Sequence, residues 1–241
     1  MTQPFLTAAW RHLVMFNYEV DPALLSPLVP DGTELDSWNG LTYVSIVAFR
    51  FLGTRILGIP IPLHQDFDEV NLRCYVRRDT HSERRRGVVF IREIVPRRAV
   101  AAVARLLYNE PYLALPMRSV IQPGPRLAVS YSWRRAGRWN TLAAQAPPPG
   151  TPPADGSLEQ FISEHYWGYT RQRDGTTLEY QVTRPPWMVA PADTHRIDAD
   201  LAGVYGRDFA SALRQPVSVF LADGSAVAVS SPCLVSPDAA P

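Results

Sequence analysis

Segments rich in β-branched and aromatic residues recur along this chain far more often than helical spacing does, and that limits it to a mainly β fold. Residues 41–51, from Leu41 through Tyr43, Val44, Ile46 and Val47 to Phe51, form the strongest such segment. Residues 70–76 alternate, with Val70, Leu72, Cys74 and Val76 on one side and Asn71, Arg73 and Tyr75 on the other. Residues 87–95 read as the neighbouring strand, and the polar run 77–86 between them reads as a hairpin connection. Further strands are predicted over 126–133, 178–183, 217–221 and 226–230. The last two are joined by an Ala222-Asp223-Gly224-Ser225 turn in which Asp-Gly supplies the positive φ.

Helical signals are few. Asp21-Pro22 is an N-cap followed by proline at the first helical position, ahead of Leu24, Leu25 and Leu28. Pro96 opens a predicted helix over 97–109 on which Val100, Val103, Ala104 and Leu107 follow helical spacing. Ser157 and Gln160 make a capping box before Phe161 and Ile162. No internal repeat is visible, and patterns before and after the Pro-rich loop at 146–156 have the same character. We therefore expect one mainly β (α+β) domain over residues 1–241 with two or three helices and a short disordered C-terminal tail.

The formal net charge is +1, which argues against bulk nucleic acid or an anionic membrane as partner. No apolar run is long enough to span a bilayer, and Met1-Thr2-Gln3-Pro4-Phe5 lacks a signal-peptide start, so a cytoplasmic protein is expected. Cys74 and Cys233 are expected to be two buried free thiols. His12, His64, His81, His165 and His195 show no metal-binding spacing, and neither a phosphate loop nor a nucleophile elbow occurs. No metal and no cofactor are expected. The basic run Arg77 to Arg86 fits a solvated hairpin tip better than a nucleic-acid footprint.

The densest polar cluster on predicted strands lies between Asp66 and Arg98. Glu69, Asn71 and Arg73 share one face by the two-residue strand period, beside a neighbouring strand that carries Arg92 and Glu93. If that face lines a cavity, it offers a carboxylate, an amide and a guanidinium to one ligand. If it faces water, the same residues make cross-strand salt bridges. Glu164-His165-Tyr166-Trp167-Gly168-Tyr169 packs four ring side chains into six residues, which suits either a helix end or the wall of an apolar pocket. All 24 basic side chains are arginine. A guanidinium stays protonated in proteins, so Schiff-base and lysine-anchored cofactor chemistry are excluded.

Several stretches resemble the YqjF-like family, a bacterial family of unknown function. They are Phe5-Leu6-Thr7-Ala8-Ala9-Trp10, Asn17-Tyr18-Glu19-Val20-Asp21-Pro22, Glu69-Val70-Asn71-Leu72-Arg73, Tyr108-Asn109-Glu110 and Glu164 to Tyr169. That family is similar in turn to acetoacetate decarboxylase, through Asp21 to Asp36, the Glu69 strand and Arg92-Glu93-Ile94-Val95-Pro96-Arg97-Arg98. The resemblance implies a cone-shaped antiparallel β-barrel with an internal cavity, Glu69 in the place of an acidic pocket residue, and Arg11 in that of a pocket arginine after a two-residue shift. Arg97-Arg98 falls where the decarboxylase has the lysine pair that forms its Schiff base, so the fold is implied and the activity is not. Arg184-Pro185 stands where the family has His-Pro.

The expected function is binding of a small organic molecule with carbonyl or carboxylate character. Glu69 would be the catalytic acid or base, with Arg11, Asn71, Arg73, Glu93, Arg97, Tyr166 and Trp167 binding the substrate. The chemistry would be that of a lyase, isomerase or hydratase without a covalent amine. A non-catalytic binder or sensor, an interaction module using the 77–86 loop or the Glu164–Tyr169 aromatic segment, and a homo-oligomer remain open alternatives.

Overall fold

The computed structural model describes residues 3–99, 101–102 and 109–235. In chain order its strands are β1 (Leu6–Val20), β2 (Glu34–Leu35), β3 (Thr42–Ile56), β4 (Ile59–Pro60), β5 (Phe67–Asp79), β6 (Arg84–Val95), β7 (Tyr112–Ala114) and β8 (Met117–Gln122). They continue with β9 (Leu127–Arg135), β10 (Arg138–Ala146), β11 (Trp167–Arg171), β12 (Thr177–Thr183), β13 (Val189–Pro191), β14 (Thr194–Asp198), β15 (Ser218–Val229) and β16 (Cys233–Leu234). The main path of the large sheet runs β13-β15-β1-β3-β5-β6-β11-β12-β16, with β2, β4 and β7 attached at its sides. Val182 and Thr183 of β12 also pair with Val229 and Ala228 of β15, so the sheet curls until its path returns to β15. A second sheet, β14-β10-β9-β8, packs against one face of the first. Pairing is antiparallel except where β6 meets β7 and β11.

Both faces of the large sheet are buried, which is why β3 reads as an almost continuous apolar run. Val44, Ile46 and Ala48 join Val70, Leu72 and Cys74 of β5 and Val129, Tyr131 and Trp133 of β9 in the core between the sheets. The opposite face, with Val47, Phe49, Phe67 and Tyr75, looks into the curled sheet. Full burial of such an apolar side chain contributes about 1.5–3 kcal/mol. A one-residue slip of β5 would therefore send Glu69, Asn71 and Arg73 into that core, and the register is strongly held.

Local irregularities bend the strands and choose which residues face inward. On β6, Phe90 lies opposite Arg73 and Arg92 opposite Leu72, so Ile91 is an extra residue. This bulge moves the inward series from Val88 and Phe90 to Glu93. On β3, Gly53 at φ 63° shifts the inward series from Val47, Phe49 and Phe51 to Thr54 and Ile56. On β1, His12 at φ 57° does the same between Trp10 and Leu13.

Some expectations need correction. The Asp223-Gly224 turn does not form: β15 runs unbroken and keeps one register with β1 from Leu6↔Val229 to Asn17↔Ser218. Gly224 does adopt a positive φ of 77°, but it serves close approach, since an added Cβ would overlap the Trp10 carbonyl. The 77–86 connection is mostly strand, with Arg77↔Arg86 and Asp79↔Arg84 paired and the turn itself closed by the Thr80 N–H to the Glu83 carbonyl at 2.9 Å. Cys233 is exposed rather than buried. Strand β1 was not anticipated, because the His12 irregularity breaks its alternation. Nor were the short helices Leu201–Tyr205 and Arg207–Ala212.

The predicted caps form. Asp21 accepts from Ala23 N–H at 2.8 Å, and Ser157 accepts from Gln160 N–H at 3.2 Å over the helix Leu158–Ser163. The Gln160 side chain, however, takes the Gly156 N–H rather than that of Ser157. The helix predicted after Pro96 begins with Ala101 N–H bonded to the Arg97 carbonyl. Its apolar stripe at Val100, Val103, Ala104 and Leu107 lies outside the described residues, as does the C-terminal tail.

Candidate functional site

The curled sheet encloses a cavity of about 300 Å³. Strand β5 presents Glu69, Asn71 and Arg73 to it at two-residue intervals, and all three are buried. Their face is therefore not a solvated one. Asn71 Nδ2 donates to Glu69 Oε1 at 2.9 Å, and the Tyr112 hydroxyl donates to Glu69 Oε2 at 3.3 Å. Tyr112 reaches this point because β7 runs parallel to β6 with Glu93 opposite Tyr112. Glu110, just before β7, accepts from the Tyr180 hydroxyl at 2.6 Å.

Three carboxyl groups thus share one buried region, and burial raises the pKa of each. Burial raises Glu69 to about 7, against the pull of the Asn71 and Tyr112 hydrogen bonds and the Arg73 charge. Burial also raises Glu110 to about 8, opposed by the hydrogen bond from Tyr180. Glu93 is pushed well up by burial and then by the neighbouring Glu110 and Glu69 charges. Tyr112 contacts Glu93 as well as Glu69, and one hydroxyl hydrogen serves one carboxylate at a time. With Tyr112 donating to Glu69, a protonated Glu93 completes the chain from Glu93 through Tyr112 to Glu69.

Farther along the same β5 face the cavity becomes cationic. Arg73 Nη2 donates to the Ile162 carbonyl at 3.4 Å, and Arg184 Nη2 donates to the adjacent Ser163 carbonyl. These carbonyls end the helix Leu158–Ser163, whose dipole favours cations there. His165, on the same wall, is held down to about 4 by burial, which outweighs its hydrogen bond to Asp36. Burial alone would raise Asp36, but hydrogen bonds from His165 and Arg86 and their charges bring it to about 2. His165 is therefore neutral and donates Nε2–H to Asp36 Oδ2 at 3.1 Å, leaving Nδ1 as an acceptor. That Nδ1, Asn71 Oδ1, Arg73 Nε and Glu93 Oε2 are buried with no hydrogen-bond partner among the described residues.

Of the residues singled out in the sequence, Glu69, Asn71, Arg73, Glu93 and Trp167 meet on the cavity wall. Arg11, Arg97 and Tyr166 do not. The β1 irregularity turns Trp10 and Leu13 inward, so Arg11 points away and donates to the Gly224 carbonyl at 3.1 Å. Arg97 and Arg98 are exposed, because the chain leaves the sheet at Pro96. Tyr166 packs its ring on the Arg184 guanidinium. Sequence reasoning missed Glu110, Tyr112, Tyr180, His165 as an acceptor, and Arg184. Glu110 stood inside a recognised motif and Arg184 at a recognised departure from one, but no periodicity aimed either at the strand face carrying Glu69.

The chain matches DUF2071, an uncharacterized conserved protein family, over residues 7–226. It belongs to that family. The uncharacterized protein YqjF of Bacillus subtilis (strain 168) is 29% identical over 189 residues, which cover 76% of this chain and 74% of that protein. Solved structures share the fold of this DUF2071 chain at low identity. Acetoacetate decarboxylase from Legionella pneumophila superposes with a TM-score of 0.64 at 14% identity, over 98% of this chain and 90% of that one. The enduracididine biosynthesis enzyme MppR in complex with pyruvate gives 0.66 at 13%, over 100% and 93%. An acetoacetate decarboxylase-like enzyme from Sphingomonas wittichii gives 0.63 at 14%, over 98% and 94%. The fold is thus acetoacetate decarboxylase-like and mainly β. Among the described residues no group of histidine, cysteine and acidic side chains is arranged to hold a metal ion, and no helix is long and apolar enough to cross a membrane.

Proposed function

We propose that this DUF2071 protein binds a small carbonyl- or carboxylate-containing molecule in the cavity and that Glu69 moves a proton on it. The observation that carries this reading is a buried carboxyl titrating at about 7 on the cavity wall, between the amide of Asn71 and the hydroxyl of Tyr112. A general acid–base works best when its pKa lies near the working pH. Ionised Glu69 takes a proton from the carbon beside a ligand carbonyl, and the enolate oxygen that develops is stabilised by the Arg73 guanidinium. Return of the proton to a different atom, or loss of a β-substituent, makes the step an isomerisation or an elimination. No covalent amine takes part, since the chain contains no lysine.

Pyruvate, which MppR holds, makes 2-oxo acids the first ligands to test. Proton–deuterium exchange beside the carbonyl, followed by NMR in D2O, should proceed with the native protein. It should fall at least about 100-fold with Glu69→Gln, while the circular dichroism spectrum is unchanged. Exchange that persists in Glu69→Gln removes Glu69 from the chemistry. A second reading, a binder that returns its ligand unchanged, is favoured by the aromatic cavity wall; it predicts thermal stabilisation by the ligand without exchange.

A further inference from the structure

We infer that Arg73 and Arg184 form a carboxylate clamp at one end of the cavity, and that its ligand is an acid carrying an apolar, ring-sized body. The inference rests on the cavity being the binding site, as proposed above, and adds the class of molecule it takes.

The two guanidiniums are brought together by one helix end, Arg73 through the Ile162 carbonyl and Arg184 through that of Ser163. Among the described residues neither has a carboxylate within ion-pair distance, and Arg73 is 9% exposed with its Nε unpartnered. Like charges on the buried Arg73 and the half-buried Arg184 repel, and the Arg73 charge adds to burial in lowering Arg184 to about 10. A bound anion relieves both costs, and a pair of planar guanidinium forks suits the two oxygens of a carboxylate. The geometry is set before any ligand arrives. Arg184 lies 3.5 Å from the centre of the Trp187 ring and 4.6 Å from that of Tyr166.

Trp187 also marks where the apolar part belongs. Its ring meets Trp10 at 6.2 Å, and Trp10 meets Phe49 at 5.3 Å and Phe51 at 5.7 Å. An aromatic wall therefore leads away from the clamp. Arg73 and Glu69 are four residues apart on β5, roughly 13 Å of strand at about 3.3 Å per residue. A carboxylate at the arginines leaves the body of the molecule against the rings and its reactive carbon toward Glu69. A molecule as small as pyruvate leaves most of the 300 Å³ cavity unfilled.

The test is calorimetric titration at pH 7 with phenylpyruvate, pyruvate and the neutral ketone 1-phenylpropan-2-one. The native protein should bind phenylpyruvate at least ten-fold more tightly than either of the others. Arg184→Met, which keeps a long side chain beside Trp187, should lose ten-fold or more for phenylpyruvate and leave the ketone unchanged. Should that variant fail to fold, Arg184→Gln should show the same loss for phenylpyruvate with the ketone unchanged. Equal native affinities for the acid and the ketone overturn the clamp. So does Glu69-dependent exchange of phenylpyruvate that ignores Arg184→Met, an outcome that leaves the proposed function standing. Failure of all three probes to bind, together with absence of exchange, overturns both.

Discussion

The hairpin end of β5 and β6 and the cavity end of the same two strands carry similar residues in opposite electrostatic states. At the hairpin each arginine has an acid. Arg77 meets Glu34 at 2.9 Å, Arg86 meets Asp36 at 2.7 Å, and Arg84 meets Asp79 at 2.7 Å. Arg85 meets Glu83 at 2.8 Å and Glu179 at 2.7 Å, while Arg78 meets Glu179 at 3.5 Å. In the cavity the charges are sorted by kind, with three carboxyls along β5, β6 and β7 and two guanidiniums at the helix end. Pairing neutralises the hairpin charges one against another. Sorting leaves the cavity with acids whose pKa values are raised and with arginines that, among the described residues, have no carboxylate at ion-pair distance, which is a state a ligand can complete.

The largest effect that would sharpen this contrast is at Asp36. Asp36→Ala leaves the Arg86 guanidinium and the His165 imidazole without their acceptor, and loss of one partner from a buried pair costs about 3 kcal/mol. Arg73→Met in the cavity breaks no ion pair and should change stability by less than about 1 kcal/mol. Urea denaturation of both variants measures the difference. Equal losses would mean that the cavity arginine is as structurally engaged as the hairpin, and the contrast would break.

Next in size is an opposite dependence on pH. Glu69 and Glu110 have folded values of about 7 and about 8, above their ordinary 4.5. They bind protons more tightly in the folded chain, so their contribution is complete below 4.5 and is lost as pH rises through 7 and 8. Asp36 is depressed from 3.8 to about 2 and His165 from 6.5 to about 4. Their contributions are present above 3.8 and 6.5 and are lost as pH falls through 2 and 4. Each group adds a slope of up to about 1.4 kcal/mol per pH unit within its window. Above 4.5 the two falling carboxyl slopes outweigh the one rising histidine slope, so the stability set by these groups should peak near about pH 4.5. Glu110→Gln should flatten the alkaline limb and Asp36→Asn the acid limb, as read from denaturation midpoints across pH. A limb that ignores its variant assigns that limb to other groups.

The same contrast explains what could be read in advance. The alternation over Val70 to Val76 is local, and it correctly put Glu69, Asn71 and Arg73 on one face. The lack of lysine is a property of composition and excluded the imine route without any structure. Whether that face is dry depends on contacts that alternation does not encode. Tyr112 arrives on β7, parallel to β6, with Glu110 just before it, the Ile91 bulge aims Glu93 inward, and Arg184 arrives on the irregular segment after β12. Arg97 was expected at the site because Arg97-Arg98 falls where the resembling decarboxylase has its lysine pair. Pro96 cannot donate to a ladder, and the chain leaves the sheet there. A matched position in sequence does not fix where the side chain points once the chain has left the sheet.

The smallest effect probes how the cavity's protons are held. Gly168 on β11 lies opposite Tyr180 on β12, and the Tyr180 ring folds over it, so an added Cβ would overlap the ring. Gly168→Ala must push the ring aside. The cavity borders both residues and gives the ring room, so the cost should stay near about 1 kcal/mol, at the low end for overpacking. The displaced hydroxyl, however, is the donor that holds Glu110 down against burial at 2.6 Å. Without it the Glu110 carboxyl should titrate higher still, moving the alkaline limb of the stability profile to higher pH while the acid limb set by Asp36 and His165 stays in place. An unshifted alkaline limb in Gly168→Ala would mean that Tyr180 does not govern the Glu110 proton.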